Sequence, residues 1–302
     1  MVELRKPQMK ARSNMKPQSR EAYAKINLFL DVTGKRADGY HDILSVMQSV
    51  SLSDTVTVEL TDGGFSVTSN VEGVPCDNSN IAVRAATRFL EFTGINAGAK
   101  IHIEKRIPMA AGLAGGSTDG AAVIMSLNEL TGAGLSDGEL IKIASKVGAD
   151  VPFCLFGGTK ITRGIGDVLE SCPACPKLHV VVAIDGEGVS TPWAYGELDR
   201  IFENFSEGTN LGRIDPLLSA MSGSDVHGVS ESTFNIFEAA VPPVRPMVDI
   251  LKEKMLQGGA LSATMSGSGP SVYGLFDSEE KAKRAAEIIR ADGARAFVCE
   301  TI

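Results

Sequence analysis

The sequence predicts an α+β protein of two domains. Three observations lead there. Strand-like segments crowd the first third, helix-like segments follow together, and the second half runs in a β-α-β-β-α-β order. A chain of 302 residues is long enough for two domains, and 43% hydrophobic against 22% charged residues supplies a core.

The elements follow in order. "MVELRKPQMKARSNMKPQSR" is basic and polar, with no apolar centre. It reads as a flexible tail over residues 1–20 rather than a secretory signal. "AYAKINLFLDVTG" and "ILSVMQSVSLSDTVTVEL" are strands, rich in β-branched residues. "NIAVRAATRFLEFTG" is a helix, with Asn80 placed to cap its start and Gly94 to stop it. "AGAKIHIEKRIP" is a strand that ends at Pro108. A glycine-rich stretch leads into the helix "STDGAAVIMSLNELTG", closed by Gly132. "SDGELIKIASKVG" carries a capping box, Ser136 with Glu139, and ends at Gly148.

"KLHVVVAID" opens the second unit. Helices at "NIFEAAV" and "PMVDILKEKMLQGG", a strand pair around "SATMSGSGPSVYGLF", the helix "SEEKAKRAAEIIRADG" and the strand "ARAFVCE" give a ferredoxin-type half. Residues 205–230, rich in Gly, Ser and Asp, read as loop. The expected domains are 21–170 and 171–302.

Composition narrows function. A net charge of −8 argues against a dedicated nucleic-acid binder but allows a phosphorylated small molecule. No apolar run reaches the ~18 residues of a membrane span. The expected location is cytoplasmic. The cysteines number five, an odd count in a long chain, so they form no disulfide framework. "CPAC" at Cys172–Cys175, with His179 nearby, has the spacing of half a zinc site; no second half exists, and reduced thiols are the simpler reading.

"PMAAGLAGGSTDG" carries the chemistry. It lacks the lysine of a Walker A loop and the context of a dinucleotide fold. It does meet the needs of an anion site. Gly112, Gly115 and Gly116 let backbone N–H groups approach a bulky anion, Ser117 and Thr118 offer hydroxyls, and a helix begins there. A tight, closely packed strand-to-helix connection is the competing reading.

This stretch resembles the second motif of the GHMP kinases, the superfamily of galactokinase, homoserine kinase and mevalonate kinase. "AYAKINLFLDVTGKRADGYHDI" and "SATMSGSGPSVYGLF" match its first and third motifs in the same order. "GKRADGYH", "GADVPFCLFGG" and "VSTPWAY" are similar to the branch that phosphorylates cytidine-diphospho-methylerythritol. Ala114 and Thr118 stand where that family more often has Gly and Ser, and Pro270 where it often has Ser or Ala.

The resemblance implies an N-terminal domain like domain 2 of ribosomal protein S5, a ferredoxin-like C-terminal domain and a substrate cleft between them. It implies ATP and Mg2+, a small-molecule acceptor, and neither nucleic acid nor membrane as partner. Pro108, Met109, Ala110, Ala111, Gly112, Leu113, Ala114, Gly115, Gly116, Ser117 and Thr118 would line the triphosphate. Asp150 would be the general base and Lys25 its cationic partner. Asp150 also sits where a helix N-cap would. A lysine inside the apolar run "AKINL" independently calls for a carboxylate partner. Asn27, two residues on, shares that strand face and would bond the acceptor's hydroxyls. Tyr40 would stack on cytosine and His41 hydrogen-bond it; Thr191 would touch the substrate. Gly267, Ser268 and Gly269 would meet the phosphate loop or the substrate diphosphate, unless they form a plain hairpin turn. No magnesium ligand is fixed by the sequence. "DGYH" separates this reading from a homoserine or mevalonate kinase, and the presence of Lys25 and Asp150 separates it from a non-catalytic relative.

Overall fold

A computed structural model describes residues 16–202 and 213–302. Its contacts gather the chain into two compact units that alternate along the sequence. The first holds the chain up to Ala22, Ser53–Arg106 and Gly115–Phe156; the second holds Tyr23–Leu52, Ile107–Ala114 and Gly157–Ile302. This differs from the linear division expected at residue 170. The first two strands, β1 (Gln18–Lys35) and β2 (His41–Thr61), are long enough to run from one unit into the other.

In the first unit, β2 runs antiparallel to β4 (Gly98–Glu104), and β3 (Phe65–Ser69) runs parallel to β4. Helices α1 (Ile81–Thr93), α2 (Gly115–Thr131), α3 (Asp137–Ala144) and α4 (Val151–Phe156) complete it. The core joins Val56, Val58 and Ile101 of the strands to Ala85, Phe89, Ile124 and Leu127 of the helices. Helix α1 begins and ends as its sequence requires. The Asn80 side chain accepts from the Ala82 N–H, and Gly94 adopts φ +68° beyond the last turn. Helix α2 is buried on nearly every face and crosses α1 at close range. A Cβ on Gly116 would lie 3.0 Å from Ile81 Cδ1, and one on Gly120 2.9 Å from Ile81 Cγ2.

The second unit contains β5 (Thr159–Arg163), paired with β2 and with β6 (Val168–Ser171). Strand β7 (His179–Ile184) is followed by α5 (Thr191–Ile201), α6 (Ile214–Ser222) and α7 (Val226–Glu231). The short β8 (Phe234–Asn235) lies parallel to β1. Then come α8 (Met247–Gln257), β9 (Ser262–Met265), β10 (Val272–Phe276), α9 (Glu279–Ala291) and β11 (Arg295–Glu300). Their sheet has the order β11-β7-β10-β9, antiparallel throughout, which is the expected ferredoxin-like order. Alternate residues of β7 enter different cores: Val181 and Ala183 join α8 and α9, whereas Val180, Val182 and Ile184 join β1. Burial on both faces explains the unbroken apolar run of that strand.

Four expectations change. The tail over 1–20 ends earlier, because Gln18–Arg20 already belong to β1; residues 1–15 lie outside the described residues. Residues 214–222 and 226–231 are helical rather than loop, because Leu217 and Met221, one turn apart, are both buried. The loop reading of 205–212 lies outside the described residues. "NIFEAAV" forms the end of β8 and a single 3-10 turn, Ile236–Ala239, which Asn235 caps and which cannot lengthen because Pro242 and Pro243 follow. Helix α2 begins at Gly115 instead of Ser117, so two of the expected loop glycines lie in its first turn.

Candidate active site

The glycine-rich segment divides between the units after Ala114. Its first part, Ile107–Ala114, is held in the second unit by backbone contacts that only glycine permits. Gly112 has φ +76°, and a Cβ there would lie 2.1 Å from the Ser266 carbonyl oxygen. Gly267, at φ +57°, would put a Cβ 2.9 Å from the Gly112 carbonyl oxygen. The second and third motifs are therefore pressed backbone to backbone. Ser266 Oγ donates to Gly112 O over 3.0 Å, and Ser271 Oγ donates to Ala111 O. Asn235 Nδ2 donates to the carbonyls of Met265 (2.7 Å) and Gly267 (2.9 Å), which fixes the turn from the other side.

Lys25 lies at this junction and is 3% exposed. Its Nζ donates to Asn27 Oδ1 over 2.7 Å and to the Gly112 carbonyl over 2.9 Å. Asn27 Oδ1 also accepts from Gly267 N–H (3.0 Å), and its Nδ2 donates to Ser45 Oγ (2.8 Å). The shared strand face of Lys25 and Asn27 is as the spacing required. Within this unit the partners of the ammonium are two neutral oxygens. Asn27 is engaged inside the protein, joining the first motif to the third. Asp150 belongs to the first unit, where it is half-buried and its carbonyl accepts the Cys154 N–H that opens α4. The N-cap position read from the sequence is thus real.

Tyr40 and His41 follow a turn closed by Arg36 N–H to Tyr40 O, with Gly39 at φ +86°. The Arg36 guanidinium holds the Asp38 carboxyl below the usual range by hydrogen bonding. Tyr40 is 62% exposed, whereas His41 is buried. His41 Nε2 lies 2.7 Å from Asp199 Oδ1, and its ring stacks on Tyr195 at 4.8 Å. Tyr195 in turn meets Phe237 edge-on at 4.9 Å. Burial pushes the Asp199 carboxyl up, but hydrogen bonds from Lys35 and His41 outweigh it and leave the group below its ordinary value. Thr191 Oγ1 lies 2.8 Å from Ser268 Oγ, joining the start of α5 to the third motif. Sequence reading missed Asp199, Tyr195, Asn235 and Ser45. The signal for Asn235 was present: an asparagine inside the apolar "FNIF".

The first unit supplies the N-terminus of α2. Ser117 there is half-buried and Thr118 buried. Beneath them Lys105 bridges Asp54 and Asp119, a triad that sequence reading also missed. Burial, reinforced by the Asp54 charge, pushes the Asp119 carboxyl up to about 7 against the pull of Lys105. Burial would lower Lys105, but the two carboxylates outweigh it and hold the ammonium above its ordinary value. Among the described residues no group of three or more His, Cys, Asp or Glu is placed to hold a metal. Cys172 and Cys175 are free, and burial pushes the Cys175 thiol up to about 12, away from the thiolate that a metal or a redox reaction needs. No helix among the described residues is long and apolar enough to cross a membrane.

The sequence profile of the GHMP kinases N terminal domain matches residues 80–158, and that of the GHMP kinases C terminal domain matches 201–295. A 4-diphosphocytidyl-2-C-methyl-D-erythritol kinase of Gloeobacter violaceus is 42% identical over 290 residues, 95% of either chain. A kinase of the same name from Caldicellulosiruptor saccharolyticus is 40% identical over 271 residues, covering 89% of this chain and 92% of its own. A crystal structure of 4-(cytidine 5'-diphospho)-2C-methyl-D-erythritol kinase superposes with a TM-score of 0.79 at 33% identity, over 94% of this chain and 99% of that one.

Proposed function

We propose, for a chain that belongs to the GHMP kinases and within them to the 4-diphosphocytidyl-2-C-methyl-D-erythritol kinases, transfer of the ATP γ-phosphate to the 2-hydroxyl of that cytidine-diphospho sugar alcohol. The products are ADP and the 2-phosphate, a step of the non-mevalonate route to isoprenoid precursors. The observation that carries the reading is likeness along nearly the whole chain to kinases named for this substrate.

The residues divide the work. Asp150 accepts the proton of the attacking hydroxyl as general base. Lys25 supplies positive charge to the developing oxyanion and the incoming phosphoryl group. Two of its three N–H groups are committed to Asn27 and Gly112, which sets the direction of the ammonium. The backbone of 108–116 and the hydroxyls of Ser117 and Thr118 receive the triphosphate at the head of α2, where the first N–H groups and the helix dipole favour an anion. Magnesium, entering with the phosphates, would be held on the protein side by the Ser117 or Thr118 hydroxyl. Its chemistry there would be to neutralise phosphate charge. Tyr40 stacks on the cytosine. His41, its ring fixed by Asp199 and Tyr195, addresses the polar edge of the base. Thr191 and the 267–269 turn lie together for the diphosphate. The compartment this reading implies is the cytoplasm.

A coupled ADP-release assay tests it, with cytidine-diphospho-methylerythritol beside homoserine and mevalonate. The expected outcome is turnover with the first acceptor alone, lost on Asp150→Ala while ATP still binds. Equal or better turnover with either other acceptor would refute it.

A further inference from the structure

Lys105, Asp54 and Asp119 form a buried cluster that the proposed reaction does not use. Lys105 Nζ donates to Asp54 Oδ2 over 2.5 Å and to Asp119 Oδ2 over 2.8 Å, with side-chain exposures of 6%, 0% and 5%. The three residues come from three places: Asp54 from β2, Lys105 from the residue after β4, Asp119 from the second turn of α2. Lys105 and Asp119 stand on either side of the glycine-rich segment. The grip on its leading side is thorough. Asp54 Oδ1 accepts the Arg106 N–H (2.5 Å), and Asn70 Oδ1 accepts the Lys105 N–H (2.7 Å).

Such a cluster is a poor device for stability alone. Desolvating three charges costs several kcal/mol each, and replacing buried ion pairs by apolar residues is often neutral or stabilising. Two carboxylates on one ammonium leave excess negative charge. Asp119 Oδ1 is buried and has no hydrogen-bond partner among the described residues. What the cluster does accomplish is geometric. It fixes the residue that leads into the segment against the helix that leaves it, so the separation of the two ends is set before any ligand arrives.

We propose that Lys105, Asp54 and Asp119 are positioning residues for the nucleotide, a clasp that closes the stem of the phosphate-binding segment and presets its backbone N–H groups. The inference rests on the reading of that segment as the triphosphate site. A preset loop lowers the ordering cost of binding, so opening the clasp weakens the nucleotide and leaves the acceptor untouched.

The test begins with turnover of the unaltered protein, so that failure of the functional reading shows itself separately. Binding of a non-hydrolysable ATP analogue is then measured by calorimetry, and KM by ADP release. Asp119→Ala keeps the Lys105–Asp54 pair but opens the clasp. Its analogue Kd and its KM for ATP should rise about tenfold, as for other outer supports of a site, with the acceptor KM unchanged. Asp119→Asn retains an acceptor oxygen for Lys105 and should restore most of the affinity. If Asp119→Ala does not fold, Asp119→Leu, close in shape and unable to accept, takes its place. Unaltered nucleotide affinity in the Ala or Leu variant, whatever its thermal stability, would overturn the proposal. Equal weakening in Asn and Ala variants would overturn it as well.

Discussion

Ala114 holds a backbone conformation that L residues avoid, with φ +57°, at the last residue before α2. A side chain in this region costs about 1 kcal/mol or more, and glycine none. Ala114→Gly should therefore stabilise the protein by about 0.5 kcal/mol once the added freedom of the unfolded chain is subtracted. The midpoint of a urea titration should rise at constant slope; a fall would mean the strain is offset by contacts of the methyl group. At this scale the candidate residues were legible by type, but their partners were not. Lys25 in an apolar strand announced a carboxylate, yet within its unit the ammonium meets two neutral oxygens. Asn27 could be placed beside it by strand spacing, but the Gly112 carbonyl is a strand-to-loop contact between residues 87 apart. His41 gave no hint of Asp199, 158 residues away. The glycines of the second motif were read for an anion, yet Gly112 and Gly116 also have steric duties inside the fold.

Helices were legible where local chemistry alone decides them. Helix α1 is the clear case: Asn80 stands before an apolar stripe, its Oδ1 accepts the Ala82 N–H over 2.8 Å, and its Nδ2 donates to the Pro75 carbonyl over 2.7 Å. Because Asn80 is only 7% exposed, water cannot replace these bonds in a truncated variant. Asn80→Ala should cost about 1–2 kcal/mol, at the upper end for a cap, and chemical denaturation at neutral pH would measure it. A cost near zero would show that the helix is held by packing against α2 instead. Elements decided by tertiary contact were the ones missed. Residues 214–222 looked like loop because Asp, Pro and Ser interrupt them, yet Leu217 and Met221 are buried against the second unit's core. By contrast, the Ile236–Ala239 turn failed to lengthen into a helix because Pro242 and Pro243 follow it, a local stop that the reading passed over.

The whole molecule was hardest to read, because a sequence suggests linear domains and this chain alternates between two units. Two strands of 18 and 21 residues carry two of the crossings, and nothing in their composition marks where one unit gives way to the other. Global stability, in contrast, can be argued from a few groups. The Asp119 carboxyl is raised in the folded state from 3.8 to about 7. Between those values the folded protein binds a proton that the unfolded chain has lost, so stability falls as pH rises from about 4 to 7. Asp38, Asp77, Asp199, Asp277 and Glu279 are lowered, and act oppositely: their contribution is present above the ordinary carboxylate range and is lost as acid titrates them. The thiols of Cys175 and Cys299, raised from 9.0 to about 12, add a second decline above pH 9, where only the unfolded chain ionises. The melting temperature should therefore climb out of acid, pass a maximum near pH 5, and decline through neutrality and again in base. Asp119→Asn isolates one limb. Its melting temperature should gain on the unaltered protein from about pH 4 to 7 and the difference level off above that, while the acid and alkaline limbs stay in place. A difference that is constant across that range would mean that Asp119 keeps its charge throughout, with Lys105 as a full partner.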